Sequence, residues 1–286
     1  MPELPDLEYI RPILCERLQG CRMTGVEVFE PVVVRNLTGM DLSEFSGIIS
    51  SVTRLGPFLR FSLKPRDRSA LNSEDQLEIV MHPMLAGRFR LSGKKQAVTA
   101  FRMNFDDFHL DFLDDKKMGK VYLGRTSDLH SIPGFASQGT DILSPSFDWP
   151  YFQRIAAKSR KQARVFLMDQ KSMSAIGNAY ADEVLFEARI HPKTRMNQLD
   201  ESQLATLFES IRSVIQDGIR TIQEAKPDLE MKYRDHMKVR NKKDQPCIRC
   251  GNKIRRANVN GYDSFFCPVC QPDGGKGFID WTTVSR

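Results

Sequence analysis

The sequence predicts an α+β, multidomain protein. A β-rich N-terminal part of sandwich or barrel type is led by one helix, followed by a helical part and a small C-terminal β-hairpin. Three observations predict this. Residues 20–125 are built of short β-branched or aromatic runs, set roughly 8–12 residues apart by Gly, Pro and Asp. Residues 151–225 change to the 3.6-residue apolar period of helices. Near the C-terminus four cysteines follow the pattern C-x2-C, sixteen residues, C-x2-C.

Composition bounds the function. The chain has 286 residues, enough for two domains, with 41% hydrophobic and 27% charged residues. It has no run of about 18 apolar residues, so no membrane span is expected. The start is acidic and lacks an apolar core, so no secretory signal is expected. The expected compartment is the cytoplasm, associated with the nucleoid in a bacterium, or the nucleus in a eukaryote. The net charge of +6 is uneven: residues 226–286 carry 13 Lys and Arg against 7 Asp and Glu, and the first 225 residues balance. A basic C-terminal module points to a polyanionic partner, nucleic acid first.

The leading helix is expected around "LEYIRPILCERLQG", where Leu7, Ile10, Leu14 and Leu18 share one face. Pro12 inside it predicts a kink or a late start. Strands follow at "GVEVFEP", "GIISSVTRLG", "FLRFSLK", "LEIVMH", "GRFRLSG", "FRMNFDDFHLDFLD" and "KVYLGR". "HSIPGFASQGTDILSPSFDWP" has the composition of a linker. Helices are expected at "YFQRIAAKSRKQARVFLMDQK", "NAYADEVLFEARI" and "DESQLATLFESIRSVIQDGIRTIQEA". Asp200 would cap the last, with Gln203 in the capping-box position. "KPDLEMKYRDHMKVRNKKDQP" is a polar connection without a readable pattern.

Cys15 and Cys21 have no ligand-like spacing and are expected to be idle thiols. Cys247, Cys250, Cys267 and Cys270 are different. Two C-x2-C pairs place four thiolates at the corners of a tetrahedron, a closed structural site for one zinc ion. No ligand position is left open for chemistry. The intervening segment would be a hairpin turning at Asn260-Gly261, bearing Lys253, Arg255 and Arg256. "MDQKSMSAIGNAYADEVLFEARIHP" predicts two helices joined at Ile176-Gly177-Asn178. Asn178 is expected as the N-cap, beside backbone N–H groups that suit a phosphate. The same pattern fits a plain αα-hairpin.

The chain opens with "MPELPDLE". Loss of Met1 would leave Pro2, a secondary amine in a rigid ring, followed at once by Glu3. This start, the β-rich part, "LMDQK…AIGNAYADEVLFEARIHP" and "PCIRC…FFCPVC" stand in one order to about Cys270. That order resembles the formamidopyrimidine-DNA glycosylase and endonuclease VIII family of base-excision repair enzymes. The resemblance implies an N-terminal β-sandwich domain (1–136), a helix–two-turn–helix DNA-binding domain (147–236), a zinc finger (237–271) and a tail (272–286). It implies Pro2 as nucleophile at C1′ of the damaged nucleotide and Glu3 as general acid, with Glu8 as support nearby. Damaged double-stranded DNA is the implied partner, held by a monomer. Met84 or Leu85 in "HPMLAGRFR" would fill the gap left by a flipped nucleotide. Lys116 and Met118 in "DDKKMGK" stand where much of one branch has arginine and phenylalanine. Asn178, Arg255 and Arg256 would contact the DNA backbone.

Two positions depart from that pattern. Pro57 in "TRLGPFLRF" stands where the family usually has a phosphate-binding lysine, and Tyr262 stands where its zinc hairpin usually has an arginine. The implied function is a bifunctional glycosylase and abasic-site lyase that excises oxidised bases. The alternative is a non-catalytic, or abasic- or single-strand-specific, DNA-binding member of the same scaffold.

Overall fold

The computed structural model describes residues 2–64 and 76–273. The tail from residue 274 onward lies outside the described residues. The chain divides into two compact units. The first holds the chain up to Ser137 together with Ile222–Tyr233, and the second holds Gln138–Thr221 and the chain from Arg234.

In the first unit, helix α1 (Leu4–Leu18) buries Leu4, Leu7, Ile10, Leu14 and Leu18. The late start expected from Pro12 does not occur, and the proline does not divide the helix. A proline inside a helix costs about 3 kcal/mol. Five buried aliphatic side chains, each contributing about 1.5–3 kcal/mol, outweigh it.

Nine strands follow: β1 (Arg22–Val28), β2 (Val34–Asn36), β3 (Gly47–Leu55), β4 (Phe58–Lys64), β5 (Leu77–His82), β6 (Arg88–Leu91), β7 (Thr99–Phe105), β8 (His109–Leu113) and β9 (Lys120–Arg125). The stretch 101–114, read from sequence as one segment, is the hairpin β7–β8, because Asp106-Asp107 turns the chain and Phe105 N–H donates to the Phe108 carbonyl. The strands form one ladder in the order β2-β9-β5-β4-β3-β1-β7-β8-β6. Only two residues of β1 pair with β3, and both β1–β7 and β3–β4 shift register close to that junction. There the ladder turns a corner. Phe61 and Ile79 from one half and Phe101 and Phe112 from the other meet α1 in a single core, so the two halves are layered. β4, β5 and β9 bury their other face as well, under Ile132 and Phe135, which is why "LEIVMH" is apolar almost throughout.

The second unit contains β10 (Thr140–Asp141), α2 (Trp149–Ala157), α3 (Ala163–Leu167), β11 (Met173–Ser174), α4 (Asn178–Glu187) and α5 (Glu201–Ala225), whose C-terminal end passes into the first unit. It ends with the hairpin β12 (Arg255–Val259) and β13 (Tyr262–Phe266). The single helix expected over 151–171 is divided. Residues 161–163 pair instead with 194–196: Ala163 N–H donates to the Thr194 carbonyl and Met196 N–H to the Lys161 carbonyl. These bonds replace helical ones. The capping box of α5 is present, with Gln203 N–H donating to Asp200 Oδ1 (2.8 Å) and Asp200 N–H to Gln203 Oε1 (3.0 Å).

Candidate active site

The chain start is held by α1. Pro2 and Glu3 are both buried. Glu3 is the extended N-cap residue; its N–H donates to Asp6 Oδ2 (2.7 Å), and its carbonyl accepts from Leu7 N–H (3.0 Å). Pro2 thus lies immediately ahead of a 15-residue helix. The partial positive charge at that helix end opposes protonation of a nearby amine.

Glu8, on the next turn of α1, accepts from Arg54 Nε (2.6 Å) and Arg11 Nη2 (3.0 Å). Burial pushes its carboxyl up, but the two guanidiniums outweigh burial and hold it below the usual carboxylate range. Arg54 also donates to the Gly56 carbonyl (3.0 Å) and is almost fully buried. Arg60 forks onto the buried Glu78. Both arginines near Pro57 are therefore engaged inside the unit. Gly56 has φ +53° and Leu55 pairs with Phe58, so Gly56-Pro57 is a two-residue hairpin turn with its positive φ at the first position. Pro57 itself is buried.

Two loops leave the same end of the ladder. Residues 83–87 link β5 to β6 and residues 114–119 link β8 to β9; His82 pairs with Lys120 and Arg88 with Leu113. A Cβ on Gly87 would lie 2.6 Å from the Phe112 ring, and one on Gly119 would lie 2.7 Å from it. Leu85 stands at the first tip, 48% exposed, and Met118 at the second, 38% exposed. Of the two sequence candidates in the first loop, Met84 is half-buried in the left-handed region (φ +47°) and Leu85 points outward. Met84 N–H donates to His82 Nδ1 (2.9 Å). Burial lowers the His82 pKa to about 4, so the ring is neutral and that nitrogen is free to accept. In the second loop the buried Asp114 carboxylate accepts from Lys116 N–H (3.1 Å) and Gly119 N–H (2.6 Å). The Lys116 side chain is exposed and 3.8 Å from Asp115.

In the second unit Asn178 is the first helical residue of α4, and Gly177 is the N-cap. The N-cap expected at Asn178 is corrected by one position, because the asparagine side chain turns to Arg164 instead of to its own helix end. Asn178 Oδ1 accepts from Arg164 Nη2 (2.8 Å). Among the described residues its Nδ2 group has no hydrogen-bond partner. The turn before it is braced by Gln170, which donates to the Ile176 carbonyl (2.8 Å) and accepts from Ala175 N–H (2.7 Å).

A buried network that sequence reading missed joins α4 to the hairpin. Asp182 accepts from Arg164 Nε (3.1 Å), Arg240 Nη1 (2.7 Å) and Ser264 Oγ (2.7 Å). Arg164 and Arg240 both also donate to the Asp263 carbonyl (2.9 and 3.0 Å). Glu183 accepts backbone N–H groups of Lys238, Val239 and Arg240. Burial pushes both carboxyls up, and the guanidiniums and N–H donors oppose it. The available signal was an acid pair set in the apolar run of "NAYADEVLFEA".

The four sulfurs of Cys247, Cys250, Cys267 and Cys270 lie within 4.8 Å of one another. Cys247 and Cys270 sulfurs are 3.9 Å apart, and those of Cys250 and Cys267 are 3.4 Å apart. A tetrahedron with Zn–S bonds of about 2.3 Å has edges of about 3.8 Å, so the donor set fits zinc. Gly251, at φ +75°, turns the first pair so that its N–H reaches the Cys247 carbonyl (2.8 Å). Asn260 and Gly261 both have positive φ, the two-residue turn expected between β12 and β13. Tyr262 is exposed at that turn and pairs with Val259. Arg255 and Arg256 pair with Phe266 and Phe265, about 10–14 Å back along the strand. They do not occupy the place of Tyr262.

Three family models match the chain in order. They are the formamidopyrimidine-DNA glycosylase N-terminal domain over residues 1–121, the H2TH domain of the same enzymes over 138–226, and the zinc finger found in FPG and IleRS over 244–272. The formamidopyrimidine-DNA glycosylase of Lactococcus lactis subsp. lactis is 31% identical over 284 residues, covering 95% of this chain and 99% of that protein. That of Pelotomaculum thermopropionicum is 29% identical over 286 residues, with the same coverage. Among solved structures, the Lactococcus lactis Fpg (MutM) bound to DNA containing N7-benzyl-Fapy-dG superposes with a TM-score of 0.82 at 29% identity, over 95% of this chain and all of that one. The same protein with DNA containing an abasic site gives 0.81 at 28% identity and the same coverage. With the start, the paired loops, the braced turn and the four-cysteine hairpin matched end to end, the chain belongs to the formamidopyrimidine-DNA glycosylase family.

Proposed function

We propose that Pro2 and Glu3 carry the chemistry of this DNA glycosylase, a base-excision repair enzyme acting on damaged bases and abasic sites in double-stranded DNA. The observation that supports this reading most is the seating of Pro2: a buried ring directly ahead of α1, whose amine becomes terminal on loss of Met1, with the Glu3 backbone fixed by Asp6 as the next residue. A terminal amine has a reference pKa of about 7.7–8.0, so a sizeable neutral fraction exists at pH 7 before the helix end adds to it. The Pro2 nitrogen forms a bond to C1′ as the bond from C1′ to the base breaks, and the base leaves with that electron pair and takes up a proton. Glu3 gives its proton to the sugar ring oxygen as the ring opens, leaving an iminium at C1′. Loss of a C2′ proton then expels the 3′ phosphate and breaks the strand.

Leu85 fills the stack vacated by the flipped nucleotide, with Met118 and Lys116 on the companion loop. Asn178, its Oδ1 held by Arg164, offers Nδ2 to a phosphate, and Arg255 and Arg256 add backbone contacts. Zinc bound by the four cysteines is structural: it fixes the hairpin and supplies no reacting group. With Pro57 buried and Arg54 and Arg60 engaged, the turn offers no cation to a phosphate. The reading is retained chemistry with altered DNA grip.

The Lactococcus complexes hold ring-opened purine, oxidised pyrimidine and abasic-site DNA, and these are the substrate classes we assign. No helix among the described residues is long and apolar enough to cross a membrane. We place the enzyme, as a monomer, on chromosomal DNA, at the nucleoid in a bacterium or in the nucleus of a eukaryote. Borohydride reduction in the presence of abasic duplex tests the reading. A covalent protein–DNA adduct is expected. Tight binding without any adduct would leave the non-catalytic reading in its place.

A further inference from the structure

The segment after α5, opaque in the sequence, is a strap on the first unit. Three side-chain ties hold it. Tyr9 Oη donates to the Pro227 carbonyl (2.8 Å). Glu230 pairs with Arg90 Nε (3.2 Å) and accepts from Gln96 Nε2 (3.2 Å). Lys232 Nζ donates to the carbonyl of Leu85. Between the first two ties Leu229 packs against the main core, so the strap is fixed along its length.

The third tie differs from the others. It ends on the backbone of the exposed loop tip, whereas the others run to side chains of α1, β6 and the β6–β7 connection. Below that tip the loop is fixed by the close approach of Gly87 to Phe112 and to the Pro83 carbonyl, and by Met84 N–H on His82. Met84 at φ +47° gives the loop a backbone it would relax from if released. An ammonium on the Leu85 carbonyl fixes the peptide plane that aims the Leu85 side chain. A wedge works only if it is ordered before the duplex opens, since ordering it later subtracts from the flipping step.

We infer that Lys232 is a positioning residue for base flipping, acting through the Leu85 carbonyl. This rests on the reading of Leu85 as the residue that enters the stack. The rival role for a half-buried lysine in a DNA-binding protein is a phosphate contact, which would serve every DNA form alike.

The full chain is assayed on two substrates, a duplex with an oxidised base and a single-stranded abasic oligonucleotide that needs no flipping. Lys232→Met is expected to lower the duplex-to-single-strand activity ratio about tenfold, the scale of one lost charge-assisted hydrogen bond. Lys232→Arg should recover most of it. Flipping, followed by 2-aminopurine fluorescence beside the lesion, should slow by the same factor. In a Leu85→Ala background, Lys232→Met should change the ratio no further, because the group it aims is gone. Equal losses on both substrates, or a full further loss in the Leu85→Ala background, would overturn the inference. If Leu85→Ala alone leaves the ratio as in the parent, the reading of Leu85 itself fails, and that result is separate from the behaviour of Lys232.

Discussion

Gly87 and Gly119 close on one ring. Each backbone lies so near Phe112 that a Cβ on either would sit inside 2.8 Å of it, at 2.6 and 2.7 Å. One core side chain thus sets the height of both exposed tips. Gly87→Ala also meets the Pro83 carbonyl at 2.5 Å, a backbone atom with little room to yield. We expect Gly87→Ala and Gly119→Ala each to cost about 1–3 kcal/mol of stability. Both should depress cleavage of lesion-bearing duplex more than cleavage of single-stranded abasic DNA. Urea melts and paired nicking assays would show it; an alanine at 87 with parental stability would contradict the packing described.

The chain start gives a chemical prediction. An N-terminal extension turns the Pro2 amine into an amide without an available lone pair, so nicking and borohydride trapping should both vanish. Pro2→Gly keeps a terminal amine and should lower lyase activity without abolishing it. Glu3→Gln should bind DNA nearly as well as the parent and fail to release base, for want of a proton. Trapping yields on an abasic duplex separate these cases. A tagged protein that crosslinks as well as the free proline would remove Pro2 from the mechanism.

Much of this site was legible in the sequence because its signals are local. A C-x2-C pair and an Asn-Gly turn each declare their chemistry within four residues, and both appear where expected. What was hidden depends on partners far along the chain. Arg54 reads as a spare cation until Glu8 is seen to hold it. Asp182 reads as a helix-surface acid until Arg164 and Arg240 converge on it. Lys232 sits in a segment with no periodicity, and its meaning lies 147 residues away at Leu85. The division of the helix expected over 151–171 has the same origin, since the competing bonds come from residues 194–196.

Cys247→Ser or Cys267→Ser should release one zinc per chain, measured by elemental analysis. The hairpin also docks on α4 through Asp182, so DNA affinity should fall while the first unit melts as before. A purified parent protein without zinc would refute the assignment.

Acid should act on the loop that carries Leu85. Burial lowers the folded pKa of His82 to about 4, below the ordinary histidine value of 6.5. The unfolded chain takes up a proton near 6.5 and the folded chain takes it up only near 4. The stability owed to the neutral ring is complete above the upper value and is lost as pH falls through this window. His82→Asn keeps an acceptor for Met84 but cannot titrate. Its stability should therefore fall less steeply than the parent's between pH 6.5 and 4.5, and identical slopes would rule His82 out.

Binding to DNA should weaken steeply with salt. For about six phosphate contacts the loss is roughly 10³-fold or more between 50 and 200 mM. Filter binding on undamaged duplex would measure it, and a flat response would be incompatible with a backbone grip.

The strap has a consequence for anyone dividing the gene. The first unit is discontinuous: it needs Ile222–Tyr233, which the chain delivers only after building most of the other unit. A fragment ending at Ser137 would expose the side of the core that Leu229 covers and lose the strap's bonds to Arg90, Gln96 and the Leu85 carbonyl. Expressed alone it should aggregate, and a synthetic peptide of residues 222–233, or its fusion through a short linker, should restore solubility.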